Sequence, residues 1–132
     1  MGTENQTLAF IYDRILTPTR GILELRLGLC REYAAEERWE LAGEWVDEGD
    51  AALEDDNRPQ FDALIIALVA ATATGRTVVV LVADWDRFSR DAEASARLRY
   101  RVRLAGSWCQ TVTGESDREA PSMEALRRLR LA

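Results

Sequence analysis

Thr77–Ala83 reads TVVVLVA and runs straight into Asp84-Trp85-Asp86-Arg87-Phe88-Ser89-Arg90-Asp91. A short, almost uniformly apolar run of this kind suits a parallel strand covered on both faces, and the charged octet is then the loop at its C-terminal end. Upstream, Pro59 suits a first helical turn, with Asn57 or Arg58 in the cap region. Phe61, Leu64, Ile65, Leu68 and Val69 follow at helical spacing, and Gly75 supplies the stop. Downstream, residues 92–105 carry two signals. Arg97, Arg99, Arg101 and Arg103 alternate with Leu98, Tyr100, Val102 and Leu104, which is a strand period. Ala92, Ala94, Ala96 and the Gly106 stop favour a helix, and parallel strands need a crossover, so a helix is expected. Ser107–Val112 then reads as another strand.

Further out, Leu8–Tyr12 (LAFIY) has strand character and Thr17-Pro18-Thr19 with Gly21 breaks it. Ile22–Glu37 is a helix whose Leu23, Leu27, Cys30 and Ala34 share one face. Trp39–Val46 is a second strand, and Asp47–Asn57 is an acidic loop. Residues 115–120 read as a polar linker, and Pro121–Leu131 as a short Arg-rich helix. Strands alternating with helices predict an α/β domain of three layers around a mainly parallel sheet of four to five strands. Residues 1–114 would form it and 115–132 would be linker and terminal helix. Leu64 and Val79 belong to the expected core. Ligands of such sheets sit at the C-terminal strand ends, here Asp13-Arg14, Asp47-Glu48 and the Asp84–Arg90 loop.

Composition limits the chemistry. The 132 residues contain no histidine, and all 17 basic residues are arginine. An imidazole base, a Ser-His-Asp triad, a lysine Schiff base and a Walker-A lysine are all excluded. Carboxylates, hydroxyls, two thiols and guanidinium groups remain. Arginine pairs with phosphate or carboxylate through a planar fork, although an Arg-for-Lys bias alone also follows from GC-rich coding. Cys30 and Cys109 fit no metal spacing and read as buried thiols of a reducing, cytoplasmic compartment. No apolar run approaches the length that spans a bilayer. The net charge of −6 is uneven. Residues 1–66 hold six arginines against 15 acids, and residues 67–132 hold 11 against eight. An acidic chain is a poor stand-alone DNA binder but can carry a local basic pocket.

Four arginines fall near the expected rim: Arg14, Arg58, Arg87 and Arg90. If a helix starts near Arg87, it and Arg90 would share a face and grip one anion together. Ion pairing with Asp86 and Asp91 is the alternative for these two, and a structural leftover whose arginines are paired to Asp13, Asp84, Asp86 and Asp91 is the alternative for the set.

Read together, these segments resemble the N-terminal catalytic domain of serine recombinases, the resolvase/invertase family, from about Leu8 to Thr113. That family's Tyr-x-Arg-x-Ser corresponds to Tyr12-Asp13-Arg14-Ile15-Leu16. Leu23, Cys30, Tyr33 and Ala34 match its next helix, with Arg26 where Gln is usual. Arg38-Trp39-Glu40 and Trp45-Val46-Asp47-Glu48-Gly49-Asp50-Ala51-Ala52 follow its Gly-Trp-Glu and Tyr-x-Asp-x-Gly-x-Ser-Gly. Arg58-Pro59-Gln60-Phe61-Asp62-Ala63-Leu64 matches its Arg-Pro motif. Asp84-Trp85-Asp86-Arg87-Phe88-Ser89-Arg90 matches its Lys-Leu-Asp-Arg-Leu-Ser-Arg.

The resemblance implies a metal-free, cofactor-free chemistry. A serine hydroxyl attacks a DNA phosphodiester to give a 5′-phosphoserine link, and arginines stabilise the charged phosphorane. It assigns that stabilising role to Arg14, Arg58, Arg87 and Arg90, and places Tyr12, Asp47 and Asp86 among the binding residues. The departures are as informative. Leu16 stands at the nucleophile position and has no hydroxyl; Thr17, one residue on, is the substitute within reach. Ala51-Ala52 replace Ser-Gly, and Asp84 replaces a lysine. The expected function is therefore a catalytically silent recombinase-type domain that binds DNA, another phosphate or a protein as an accessory. The alternative is an active strand-exchange enzyme using Thr17, or one whose DNA-binding domain comes from a partner. Expected partners are DNA, bound weakly and with help, and a second copy or another recombinase-family protein; no membrane is expected. The 18 residues after Gly114 would supply a short helix rather than the family's long dimerisation helix and DNA-binding module.

Overall fold

Strand β1 (Leu8–Ile15) is the spine of the sheet, because Ala9 to Tyr12 are all buried and both of its edges are paired. In this computed structural model the described residues are 6–17, 20–53 and 57–119. After β1 come α1 (Arg20–Glu36), β2 (Glu40–Glu48), α2 (Pro59–Thr72), β3 (Val78–Val82), α3 (Ala92–Leu104) and β4 (Trp108–Thr111). The strands are all parallel, in the order β2-β1-β3-β4. The expected α/β architecture is present, with four strands among the described residues, and the helix reading of residues 92–105 is correct. Ala94, Ser95, Leu98 and Val102 are buried while Leu104 is 69% exposed, a pattern that a strand period through 98, 100, 102 and 104 would not give. The expected C-terminal helix at Pro121–Leu131 lies outside the described residues.

Two cores separate the layers. On one face Phe10, Tyr12, Val78, Val80 and Val82 pack beneath Phe61, Leu64 and Leu68 of α2 and Leu98 and Val102 of α3. On the other, Ala9, Ile11, Val79 and Leu81 meet Leu27, Cys30 and Ala34 of α1. The chain thus leaves β1 toward one face and β3 toward the other. Their C-terminal ends flank a topological switch point, the place where an open α/β sheet forms a crevice. Leu64 and Val79 are fully buried, as expected, and both cysteines are buried free thiols.

Several boundaries move for physical reasons. β1 runs three residues beyond Tyr12, so Asp13 and Arg14 lie on the strand rather than after it. The β2 ladder continues to the Ile15–Glu48 pair, so Asp47 and Glu48 are strand as well. The rest of the expected acidic loop contains a 3-10 turn, Gly49–Ala52. α2 has Arg58 at its N-cap, but neither Arg58 nor Asn57 supplies the cap hydrogen bond. Asp47, from the end of β2, accepts from the amides of Gln60 at 2.9 Å and Phe61 at 3.1 Å instead. Val69, counted in the apolar stripe, is 53% exposed; the face that packs is the narrower one of Phe61, Leu64 and Leu68. Gly75 holds φ at +87° in the turn into β3. Residues 115–117 fold back along β4. The Thr111 amide donates to the Glu115 carbonyl, the Asp117 amide to the Cys109 carbonyl, and Ser116 bridges Gln110.

Candidate functional site

The crevice at the switch point is a cleft of about 450 Å³. From the end of β1 it receives Arg14, Ile15, Leu16 and Thr17, and from α1 Ile22 and Arg26. Ala52 and Leu53 come from the turn after β2, and Arg87, Ser89 and Arg90 from the loop after β3. Floor and rim differ in kind. Arg14, Arg26 and Arg87 are partly buried, whereas Arg90 is exposed and Leu16, Ile22 and Leu53 stand at the rim, each more than half exposed.

Of the four arginines singled out in the sequence, Arg14, Arg87 and Arg90 line the cleft. Arg58 does not, being a buried side chain that donates to the Tyr12 hydroxyl at 3.5 Å. It still acts on the site. The Arg14 guanidinium is held below its ordinary pKa, first by burial and then by the charges of Arg58 and Arg87, with Arg90 adding to them. Four like charges are therefore close enough to feel one another, the condition under which an anion is welcome.

Each guanidinium is placed differently. Arg14 donates through Nε to the Asp86 carbonyl and through Nη1 to the Ala52 carbonyl, both at 2.8 Å, which joins all three strand-end loops. Arg87 sits in a short 3-10 turn, Trp85–Arg87. Its Nε donates to Asp84 Oδ1 at 3.2 Å, and its Nη1 to the Arg14 carbonyl at 3.0 Å and Asp13 Oδ1 at 3.3 Å. Arg90 makes no ion pair among the described residues and is exposed. The expectation that Arg87 and Arg90 share the first turn of a helix is corrected. α3 begins at Ala92, and Asp91 occupies its cap by accepting from the Ala94 amide at 2.9 Å. The two arginines reach the same cleft from a loop instead.

The three expected binding residues are placed away from it. Tyr12 is fully buried and donates to Asp47 Oδ2 at 2.7 Å, and burial chiefly pushes its phenol far above the usual range. Asp47 is occupied by that hydroxyl and by the α2 amides. Asp86 meets the site only through its backbone carbonyl. Leu16 and Thr17, by contrast, are both on the cleft wall.

The innermost element is a carboxylate among the cations, which the sequence placed at the end of the first strand and offered as an arginine partner, but without Arg26. Asp13 is 1% exposed. It accepts from Arg26 Nε at 2.8 Å, Arg26 Nη2 at 3.1 Å and the Arg14 amide at 2.6 Å, besides Arg87. The usable signal was Arg26 itself, a charge on the helix face that also carries apolar side chains. Among the described residues no group of acidic, cysteine or histidine side chains could hold a metal ion. Among the same residues no helix is long and apolar enough to cross a membrane.

The fold is a parallel doubly wound sheet with an arginine-lined crevice at its switch point. The profile of the resolvase N-terminal domain matches residues 9–131, and the chain belongs to that family. No curated protein sequence matches it. Among solved structures it is similar to the N-terminal catalytic domain of TP901-1 integrase, with 21% identity and a TM-score of 0.67 over 94% of this chain and 92% of that one. It is similar also to a resolvase family site-specific recombinase from Streptococcus pneumoniae, with 17% identity and a TM-score of 0.70 over 96% and 89% of the two chains. The C-terminal catalytic domain of ISC1926 TnpA, an IS607-like serine recombinase, gives 21% identity and a TM-score of 0.64 over 94% and 76%. At these identities the three structures speak for the fold.

Proposed function

We propose that this domain holds a DNA phosphodiester, or another phosphate, in the arginine cleft without cutting beside it, and works as a DNA- or protein-binding accessory in recombination. One observation carries the reading. Leu16, at the position of the family nucleophile, lies on the wall of the cleft lined by Arg14, Arg87 and Arg90. The groups suited to stabilising a phosphate are retained where the group that would attack it is an alkyl chain. Arg14 and Arg87 are aimed by backbone carbonyls rather than left to wander, which is how a charged site is kept ready for an anion. Arg58, behind them, raises the local potential without touching the ligand. Asp84, in the place of a family lysine, accepts from Arg87 and so lowers the pull on a phosphate. DNA binding is accordingly weak in the isolated chain and is strengthened by a partner, either a second copy or a recombinase-family protein.

Incubation with supercoiled DNA and with nicked oligonucleotides tests this. The wild-type chain retards a short duplex at low salt and forms no covalent protein–DNA adduct. Arg87→Ala and Arg90→Ala each weaken the retardation by about tenfold, the scale of one lost charge-assisted contact. An adduct formed by the wild-type chain and abolished by Thr17→Ala overturns the silent reading.

That outcome would establish the second reading, which rests on Thr17 lining the same cleft. There Thr17 Oγ1 bonds to phosphorus, the bond to the 3′ oxygen breaks, and the hydroxyl proton leaves with that oxygen. The strand end stays attached as a 5′-phosphothreonine.

A further inference from the structure

We propose that Asp13 and Arg26 form a charge-setting pair for this cleft, Asp13 as a resident competitor of the bound phosphate and Arg26 as the positioning residue that contains it. The inference rests on the phosphate-holding reading and specifies what tunes it.

The donors around Asp13 are those an anionic ligand would seek. Oδ1 accepts from the Arg14 amide, Arg26 Nη2 and Arg87 Nη1, and Oδ2 accepts from Arg26 Nε. The two arginines share this carboxylate unequally. Arg26 meets both oxygens side-on, at 2.8 and 3.1 Å, and a fork on a carboxylate is the strong form of this contact. Arg87 makes a single bond at 3.3 Å and divides its other donors between Asp84 and the Arg14 carbonyl. Arg26 thus takes most of the Asp13 charge, and Arg87 stays on a longer, weaker bond from which a phosphate can draw it.

Neither residue makes sense alone. A carboxylate with 1% exposure beside an anion site repels the ligand and is costly to bury unpaired. Arg26 alone, on α1, would be one more cation at the cleft. Together they are neutral, and they leave the cleft with the charge of its remaining arginines. Arg26 also lines the cleft and donates to the Arg14 carbonyl at 3.3 Å, so its placement is tied to that of Arg14. If Arg26 is neutralised, Asp13 keeps Arg87 as its sole ion-pair partner among the described residues and draws it from the ligand.

Four proteins decide the matter: the wild type, Asp13→Asn, Arg26→Gln and the double variant. The probes are inorganic phosphate and a short DNA duplex, with dissociation constants measured over a series of salt concentrations. Asp13→Asn is expected to bind both probes about tenfold more tightly, and Arg26→Gln about tenfold more weakly, the scale for one charge near a part-buried ligand. The double variant returns close to the wild type. For the duplex, the slope of log affinity against log salt steepens by roughly one in Asp13→Asn, as one more cation becomes available to the backbone. A merely structural pair predicts instead that both single variants bind more weakly with an unchanged salt slope, which overturns the inference. If Arg26→Gln fails to fold, Asp13→Asn and the double variant carry the same comparison. Wild-type binding that Asp13→Asn leaves unaltered overturns the inference and leaves the phosphate-holding reading standing. Binding of neither probe by any of the four overturns both.

Discussion

Two carboxylates end neighbouring strands, Asp13 on β1 and Asp47 on β2, and both are almost fully shut from water. The ladder pairs Asp13 with Val46 and Arg14 with Asp47, so the two acids are one step apart and point to opposite faces of the sheet. Their partners differ in charge. Asp47 is satisfied by neutral groups, the Tyr12 hydroxyl and two amides opening α2. Asp13 is satisfied by two guanidinium groups and one amide. The first arrangement joins a strand to the helix that follows it and contributes to folding. The second balances charge beside a cleft and contributes to what the cleft attracts. Equal burial therefore does not mean equal role, and the identity of the donors separates the two.

The largest effect should come from Asp47→Ala. It leaves a buried hydroxyl and two helix-end amides without their acceptor, and should cost about 4 kcal/mol by chemical denaturation. A loss no greater than that of Asp13→Asn would break the comparison. Leu64→Ala, in the core above Tyr12, calibrates the scale at about 3 kcal/mol as a cavity.

The next effect is a pH dependence beneath each acid. The Cys30 thiol is pushed up to about 12 from an ordinary 9.0, first by burial and then by Asp13. Tyr12, beneath Asp47, is raised as well. A folded-state pKa above the unfolded one contributes stability that is whole below the unfolded value and is lost as pH rises toward the folded value. Cys30 thus leaves stability level below about pH 9 and lowers it by about 1.4 kcal/mol per pH unit above that. Cys30→Ala should make the alkaline slope shallower by that amount, and an unchanged slope would remove Cys30 from the account. The smallest effect is expected for Asp13→Asn, about 1 kcal/mol. The amide oxygen still accepts from Arg26 and Arg87, and both arginines keep some contact with water, at 16% and 14% side-chain exposure. A loss of several kcal/mol would make Asp13 a folding residue like Asp47.

The same pair explains what could be read from the sequence. β3 was legible because five buried positions in a row leave an unmixed apolar signal. α2 was legible from Pro59 and its spacing, and the crevice followed from where the strands end. The last residues of β1 were not legible, since Asp13 and Arg14 look like loop until Arg26 arrives from α1 to neutralise the acid. The partnership crosses from a strand to a helix, and no local period encodes it. Arg58 had the opposite fate. Its motif pointed to the cleft, yet burial against Tyr12 sets it behind Arg14. Tyr12 and Asp47 went the same way because the cap of α2 claims them.

The fold-back of residues 115–117 along β4 bears on how copies of this domain could assemble. Hydrogen-bonding groups of Cys109 and Thr111 that a visiting strand would need are already taken by Glu115 and Asp117. That flank is thus covered by the chain itself, whereas among the described residues the outer edge of β2 has no strand partner. A continuous sheet running through two copies by way of β4 would first have to displace the chain's own return.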